Sequence, residues 1–404
     1  NISSILTLND VVKYTIFRKS TYNKIDKDII TQMIFAYRFL NEDTIKEVKK
    51  EITVKDMNFT PSFKYNSRKT FLHINVLNEE TSQFQNGINI DLKDTNKIDF
   101  EEMEYDIDSL TLPQKHCLLF LACSIISKKF CIVQGSTCSG KSHIIRLFAK
   151  LLGQELIVYQ MNKDTGISIL TGQPILSATL SKDVIDEIKI LLHDISNVHI
   201  LNKYIHEHFS ENPDEWKLIH FTNFISYYEK NKSNINTDLY DLDKLFNGIK
   251  KLIRKENRFT FHESAFVKAV KEGKWVLFDG IESAPPEIAQ KLSSLCDDDP
   301  EIHLIENGKD TLYTKKKGLN SILINDNFHL FFTYNPSSLK ENIYLDPTFF
   351  NKCVSFTPPP IDSCPEYSAQ VLHGLLLKMQ YKNDIATEIA TRMSMAHELA
   401  RNKS

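Results

Sequence analysis

A run of eight residues has the types and the spacing of a loop that binds phosphate. It follows the pattern G-x-x-x-x-G-K-[ST] and consists of Gly135, Ser136, Thr137, Cys138, Ser139, Gly140, Lys141 and Ser142. The glycines let successive backbone N–H groups turn inward around a phosphate. The Lys141 ammonium can reach the outer phosphates of a nucleotide, and the Ser142 hydroxyl can hold a magnesium ion. The pattern predicts that these residues bind a nucleoside triphosphate together with magnesium.

The residues on both sides of this loop predict the elements that would position it. Residues 130–134 are a short apolar run typical of a strand, and residues 143–152 have the spacing of an amphipathic helix that Gly153 can end. A helix that begins at the loop adds a favourable dipole for a bound anion. An ordinary glycine turn is the alternative interpretation, and the order of strand, loop and helix argues against it.

A second acidic element is predicted at residues 275–279, an apolar run that ends in a carboxylate. Asp279 is therefore a candidate magnesium ligand beside Ser142, although it would also serve as a cap for the next helix. Gly280 follows at the position where a general base would stand, and glycine has no side chain to act as one. Glu282 lies two residues further on, in a predicted helix, and we expect it to point away from the site.

A third run, residues 328–334, reads as another core strand and is followed by Asn335 and Pro336. The Asn335 side chain is a candidate catalytic sensor that reaches the γ-phosphate or the attacking water. An Asn-Pro turn that simply ends the strand is the alternative, and these two residues alone favour the turn.

From about residue 106 the pattern alternates between strand and helix, which is typical of an α/β fold with a parallel sheet. Strands are predicted at residues 130–134, 155–160, 275–279 and 328–334. A long helical insertion is predicted at about 176–255. Such an insertion either hosts a partner or forms a solvated helical hairpin, and the sequence does not decide between them.

Residues 1–105 are predicted to form a mixed, partly helical region without a chemical motif. Six apolar residues have helical spacing, namely Ile29, Ile30, Met33, Ile34, Tyr37 and Leu40. Residues 70–76 predict a short strand, whereas the polar stretch 78–96 is typical of a loop. The region is either a separate unit or the tail of a preceding module. Because the first residue is Asn rather than Met, we expect the chain to be a piece of a longer polypeptide.

Composition excludes several classes of protein. The 404 residues are 42% hydrophobic and 25% charged, with a net charge of −3, so bulk charge gives no sign of direct nucleic-acid binding. Seven cysteines without a C-x-x-C pair predict reduced thiols in an intracellular protein. The longest apolar run, residues 117–126, is shorter than the ~20 residues that span a bilayer and is predicted to be a buried helix.

Taken together, several motifs resemble the dynein-related, midasin-like family of AAA+ ATPases. Besides the phosphate-binding loop, the resemblance rests on residues 159–173, 265–275, 283–292, 305–308 and 335–336, in this order. It covers residues from about 106 to about 360 and leaves the N-terminal hundred unmatched. The ordered set is far more specific than any one of its segments.

The resemblance implies a fold and a working assembly. The fold would be a P-loop AAA+ core with a five-stranded parallel sheet at 106–360 and a partial helical lid at 361–404. Such modules bind ATP and Mg, assemble as neighbours in a ring on one chain or in an oligomer, and remodel protein or pre-ribosomal assemblies. A nuclear, nucleolar or cytoplasmic location, without a membrane, follows from the resemblance.

Departures from the family pattern concern hydrolysis. Gly280 replaces the catalytic Glu of the family, and Gly166 and Ile169 replace acidic residues. Lys352 stands where the family places arginines that reach the neighbouring nucleotide, but it lacks their planar fork. Arg392 is a candidate for an arginine of the lid. Losing a general base costs on the order of 100- to 10,000-fold in rate.

These features predict a module that binds Mg-ATP and is weakly hydrolytic or inactive, as a structural or regulatory member of a ring. The alternative is an active motor in which Glu282 or a neighbouring module supplies the missing group. A third interpretation attaches the AAA core to another activity, such as ubiquitin transfer.

Overall fold

A computed structural model of the chain describes residues 8–21, 24–36, 48, 59–78, 83–137, 139–176, 182–210, 212, 216–232, 239–255, 259–297, 299–306, 309–316, 321–336, 347–358 and 365–401. The chain divides into two compact units. The first comprises Asn1–Thr171 and Ser264–Ser404, and the second comprises Gly172–Glu263. The chain therefore leaves the first unit once and returns to it.

The elements are numbered in chain order. The first unit begins with α1 (Leu8–Ser20), α2 (Lys27–Thr31), a π-helical turn (Gln32–Ala36), β1 (Phe59–Tyr65), β2 (Phe71–Asn78), β3 (Gln83–Asp91), a 3-10 turn (Thr95–Lys97), α3 (Phe100–Ser109), α4 (Leu112–Ile126), β4 (Cys131–Gln134), α5 (Lys141–Leu151), β5 (Leu156–Gln160) and α6 (Ser168–Thr171). The second unit contains β6 (Gly172–Leu176), α7 (Lys182–Ile195), α8 (His199–His208), α9 (Leu218–Asn231), α10 (Leu239–Lys255) and β7 (Phe259–Glu263). The first unit resumes with α11 (Ala265–Glu272), β8 (Trp275–Asp279), a 3-10 turn (Ile281–Ser283), α12 (Pro286–Leu295), β9 (Glu301–Glu306), β10 (Lys309–Thr314), β11 (Ser321–Leu323), β12 (His329–Tyr334), α13 (Pro347–Lys352), β13 (Val354–Phe356), α14 (Pro365–Lys378) and α15 (Asn383–Arg401).

The central sheet of the first unit has five strands in the order β13-β4-β12-β8-β5, and every neighbouring pair is parallel. The predicted α/β fold class is thereby confirmed. Each of the four predicted strands is present, and their bounds agree with the prediction to within one residue. Because the strands run parallel, β4, β8 and β12 end at the same edge. The residues that follow Gln134, Asp279 and Tyr334 meet there.

Apolar side chains cover both faces of this sheet, as expected of a parallel sheet between helix layers. Phe331 lies in one cluster with the buried residues of α4 and α5, whereas Phe332 lies in the opposite cluster with those of α11 and α12. Alternate residues of β12 thus point to opposite faces. The apolar run 117–126 lies within α4 and is buried from Cys117 to Ser124, which confirms the prediction of a buried helix.

One prediction for the N-terminal region is wrong. The polar stretch 78–96, predicted as a loop, contains β3, which pairs with β2 in the antiparallel sheet β1-β2-β3. Ile88 and Ile90 are buried there, and β2 supplies the partner for the backbone. The strand predicted at 70–76 is present as β2. Of the predicted helical stripe, Ile29, Ile30, Met33 and Ile34 are buried, while Tyr37 and Leu40 lie outside the described residues.

The second unit has its own core. Strands β6 and β7 pair antiparallel, with Gly172 opposite Glu263, so the two ends of the segment lie side by side. Helices α7 to α10 enclose a cluster rich in aromatic residues, among them Phe209, Trp216, Phe221, Phe224, Tyr228 and Phe246. Whether this unit hosts a partner stays a prediction.

The last two helices contact each other, and α14 also contacts α3. The Tyr105 hydroxyl donates to the Gly374 carbonyl over 3.3 Å, and the Gln370 amide donates to the Leu110 carbonyl over 3.0 Å. Among the described residues, no helix is both long enough and apolar enough to cross a membrane.

The pH dependence of the stability of this fold is expected to arise in part from His329. Its ring is 4% exposed, its Nε2 has no hydrogen-bond partner among the described residues, and burial together with Lys315 lowers its pKa from 6.5 to about 3. Below pH 6.5 the unfolded chain binds a proton that the folded chain excludes. The free energy of unfolding should therefore fall by about 1.4 kcal/mol per pH unit as the pH decreases from 6.5. Chemical denaturation at several pH values measures this slope.

The variant His329→Phe isolates the contribution of this ring from that of the other histidines. Its free energy of unfolding should vary less steeply with pH than that of the wild type between pH 6.5 and 5. Equal slopes for the two proteins would show that His329 is not kept neutral by burial.

Candidate functional site

The predicted phosphate-binding loop connects the end of β4 to the start of α5. The Gly135 N–H donates to the Tyr334 carbonyl over 3.1 Å, which fixes the loop to the neighbouring strand. Gly140, the last residue before α5, has φ +80°, a conformation that side chains other than hydrogen disfavour. Cys138 lies outside the described residues. The loop therefore leads directly into the N-terminus of an eleven-residue helix, where backbone N–H groups point outward.

The Lys141 ammonium lies within this loop. It donates to the carbonyls of Gly135 at 3.0 Å and Ser136 at 2.6 Å, and the Ser139 hydroxyl is 3.4 Å away. A positive charge and a helix N-terminus are thus concentrated at one place. Both favour a bound anion.

Ser142 and Asp279 meet beside the loop. The Ser142 hydroxyl donates to Oδ1 of Asp279 over 2.6 Å, although 137 positions separate the two residues. The contact arises because β8 ends at Asp279 next to the first turn of α5. Oxygen donors of this kind, a carboxylate and a hydroxyl, are those that Mg²⁺ prefers. The residues present therefore fit the magnesium ion and the triphosphate that the motif implies.

Thr333 is a further residue of this group, and the sequence analysis missed it. Its hydroxyl donates to Oδ1 of Asp279 over 2.6 Å and accepts from the Gly280 N–H at 2.8 Å. It is 1% exposed and fixes both the carboxylate and the turn that follows it. A threonine in a largely apolar strand, two residues before Asn335, was the available signal.

The variant Thr333→Val should destabilise the protein by about 1–3 kcal/mol, because the Gly280 N–H loses its partner and Asp279 loses a donor. Chemical denaturation measures the loss. Thr333→Ser keeps the hydroxyl and should recover much of the difference. If the valine and serine variants were equally stable, the hydroxyl would contribute nothing.

Asn335 lies at the end of β12 and faces the phosphate-binding loop. Its Nδ2 donates to the Thr137 hydroxyl over 2.7 Å. The side-chain amide therefore lies beside the loop, where a residue that contacts the outer phosphate must be. The catalytic role of Asn335 stays a prediction.

The two candidate cations from the C-terminal part have partners within this chain. Lys352, at the end of α13, donates to Asp297 over 2.8 Å and to the Ser293 carbonyl over 3.3 Å. Arg392 is exposed and pairs with Glu388 on the same helix. Neither contact tests a role toward the nucleotide of a neighbouring module.

The expected orientation of Glu282 is wrong. Gly280 adopts φ +76°, and the short 3-10 turn after it brings the Glu282 side chain back toward the site. The residue is 8% exposed, and Oε1 lies 3.8 Å from the place where a Cβ on Gly280 would stand. Burial raises the pKa of this carboxyl, while the backbone N–H groups of Glu282 and Asn335 and the Lys141 ammonium oppose the rise. The prediction assumed a regular helix and missed the reversal at the glycine.

Part of the chain matches a family model. Residues 240–351 match the family described as AAA domain (dynein-related subfamily). The matched segment includes the Asp279 strand, the Gly280 turn and the strand that ends before Asn335. The phosphate-binding loop lies outside it and was found from its own pattern. The match supports an AAA+ ATPase of the dynein-related type, and the all-parallel five-stranded sheet is consistent with an AAA+ core.

Proposed function

We propose that this chain is a midasin-like module that binds Mg-ATP and hydrolyses it slowly or not at all, as a structural or regulatory member of a remodelling ring. One observation carries the proposal. Lys141, Ser142 and Asp279 are brought together around the phosphate-binding loop, whereas the residue directly after Asp279 is glycine.

Each of these residues has a distinct part in binding. The Lys141 ammonium would leave the carbonyls of its own loop and donate to the outer phosphates. Ser142 and Asp279 would hold the magnesium ion, with Thr333 keeping the carboxylate in position. The ion, when bound, neutralises part of the charge on the phosphates. Asn335 would lie near the γ-phosphate.

Slow turnover follows from the residue at position 280. A general base contributes on the order of 100- to 10,000-fold to a rate, and no side chain is present there to remove a proton from water. Binding does not need this group, so the capture of the nucleotide is retained while its cleavage is weakened.

The nucleotide content of the purified protein tests the proposal. Denaturing the full chain and separating the released nucleotides should yield bound ATP or ADP. Steady-state turnover at saturating Mg-ATP should be below about 1 s⁻¹, the lower end of ordinary enzyme rates. Turnover at or above ordinary rates would contradict a weakly hydrolytic module.

A second candidate function is an active motor that drives the remodelling of protein or ribonucleoprotein assemblies. The buried carboxylate of Glu282 beside Gly280 favours it, because it could supply the group that position 280 lacks. The same turnover measurement separates the two candidates. Ring neighbours, a pre-ribosomal substrate and a nuclear, nucleolar or cytoplasmic location are parts of the proposal that rest on the family resemblance.

A further inference from the structure

The Glu282 carboxylate is delivered to the site by a sharp reversal of the chain. Strand β8 ends at Asp279, Gly280 takes the left-handed conformation, and the Ser283 N–H donates to the Gly280 carbonyl over 2.9 Å. This single turn places residue 282, rather than residue 280, on the side of the phosphate-binding loop. A side chain at position 280 would be strained at this φ, which costs about 1–2 kcal/mol.

The carboxylate of Glu282 is buried, and one of its oxygens is unpartnered within the described part of the chain, which is unusual for a carboxylate with a purely structural role. Glu282 is buried, with only 8% of its surface exposed, and its Oε2 has no hydrogen-bond partner among the described residues. An unpartnered buried carboxyl oxygen is costly and therefore needs a reason to be there. Three neighbours affect the pKa of Glu282: the Asn335 backbone N–H and the Lys141 ammonium lower it, and the Asp279 carboxylate raises it.

These neighbours are the ones that also define the predicted position of the outer phosphate. Lys141 lies in the loop, Asp279 is joined to Ser142, and Asn335 is joined to Thr137. The carboxylate therefore lies on the phosphate side of the sheet edge, and Oε1 is 3.8 Å from a Cβ built on Gly280. It lies next to the space that a side chain at position 280 would enter.

We propose that Glu282 is the general base for the residual hydrolysis of ATP by this module, acting from two positions beyond the usual one. The inference rests on the proposed function. Glu282 takes a proton from water as the water oxygen bonds to the γ-phosphorus. The bond from that phosphorus to the bridging oxygen breaks, and its electron pair leaves with ADP. The products are ADP, phosphate and protonated Glu282, which returns its proton to solvent.

Burial makes the Glu282 carboxylate a stronger general base. A carboxyl group whose pKa is raised is a stronger base than an exposed one, and efficiency is greatest when the pKa approaches the working pH. The neighbouring Lys141 charge opposes this rise in the pKa of Glu282. The rate should therefore rise with pH until Glu282 is deprotonated and then become constant.

Single-turnover hydrolysis of prebound ATP by the full chain tests this role. The variant Glu282→Gln keeps the shape of the side chain but cannot accept the proton, so the rate should fall by about 100-fold or more. Its affinity for Mg-ATP, measured by calorimetry, should stay within about threefold of the wild type. The pH dependence of the rate should disappear with the carboxylate. The control is Glu287→Gln, which removes the same charge from an exposed position in the next helix and should change neither quantity.

Two further readouts do not depend on activity. Carbon-13 NMR of the nucleotide-free protein should give Glu282 a pKa above the ordinary value for glutamate. Thermal unfolding should show that Glu282→Gln is folded. In the single-turnover assay, Glu282→Asp, with a shorter carboxylate, should hydrolyse ATP more slowly than the wild type but faster than the glutamine variant.

The outcomes separate this inference from the proposed function. If ATP binds but Glu282→Gln cleaves it as fast as the wild type, Glu282 is not the base and the binding function stands. If ATP binds and the wild type cleaves none of it, the inference is equally overturned. If no nucleotide binds at all, it is the proposed function that fails.

Discussion

Replacing Lys141 by alanine is expected to lower the affinity for Mg-ATP by roughly 10- to 100-fold. A hydrogen bond to a charged group contributes about 1.5–3 kcal/mol, and each 1.4 kcal/mol changes a dissociation constant tenfold. In the loop, the ammonium is within hydrogen-bond distance of two carbonyls, at 3.0 and 2.6 Å, so it already lies where the phosphates would bind. Isothermal titration calorimetry measures the change in affinity.

The matched control for this variant is Lys150→Ala. Lys150 lies on the same helix, α5, but is exposed and pairs with Glu102. Its removal takes away the same charge and an exposed ion pair that contributes little to stability. Affinity should change by less than threefold. If both variants bound Mg-ATP like the wild type, the loop would not be the nucleotide site.

Replacing Phe332 by alanine is expected to destabilise the protein by about 3–5 kcal/mol, the usual cost of truncating a buried phenylalanine. Its side chain is fully buried in the central strand β12. The ring packs against Phe278 at 5.8 Å and Phe349 at 5.0 Å between centroids, so the cavity would open between the sheet and a helix. Chemical denaturation at neutral pH measures the loss.

Met393→Ala is the control for this second prediction. Met393 lies on α15 and is 51% exposed, so truncation should change the free energy of unfolding by about 0.5 kcal/mol or less. A loss below about 1 kcal/mol for Phe332→Ala would mean that β12 is not at the centre of the core. The site would then lack the rigid edge on which Thr333 and Asn335 stand.

The sheet and the ligand-binding elements could be predicted because their signals are local. A short apolar run of strand length, bounded by a glycine, a carboxylate or an Asn-Pro pair, is consistent with a buried strand of a parallel sheet. Strands β4, β8 and β12 are of this kind. Since such strands end at one edge, the pairing of Ser142 with Asp279 followed from the fold class.

The missed features depend on tertiary contacts or on one backbone torsion. Strand β3 is polar along much of its length and forms because its backbone pairs with that of β2. A local pattern of residues does not reveal this pairing. The orientation of Glu282 is set by the positive φ of Gly280, whereas the prediction assumed that Glu282 lies in a regular helix. Thr333 carries a hydroxyl in a largely apolar strand, but its partners, Asp279 and the Gly280 N–H, are set by tertiary contacts.

The central claim is that this chain captures a triphosphate in the loop that ends at Ser142. Calorimetric titration of the nucleotide-free, full-length chain with ATP, with magnesium and with the metal chelated, tests it most directly. Saturable heat from one site, with weaker binding when the metal is removed, is the predicted result. A folded protein that gives no heat with ATP, ADP or GTP in either condition would contradict it.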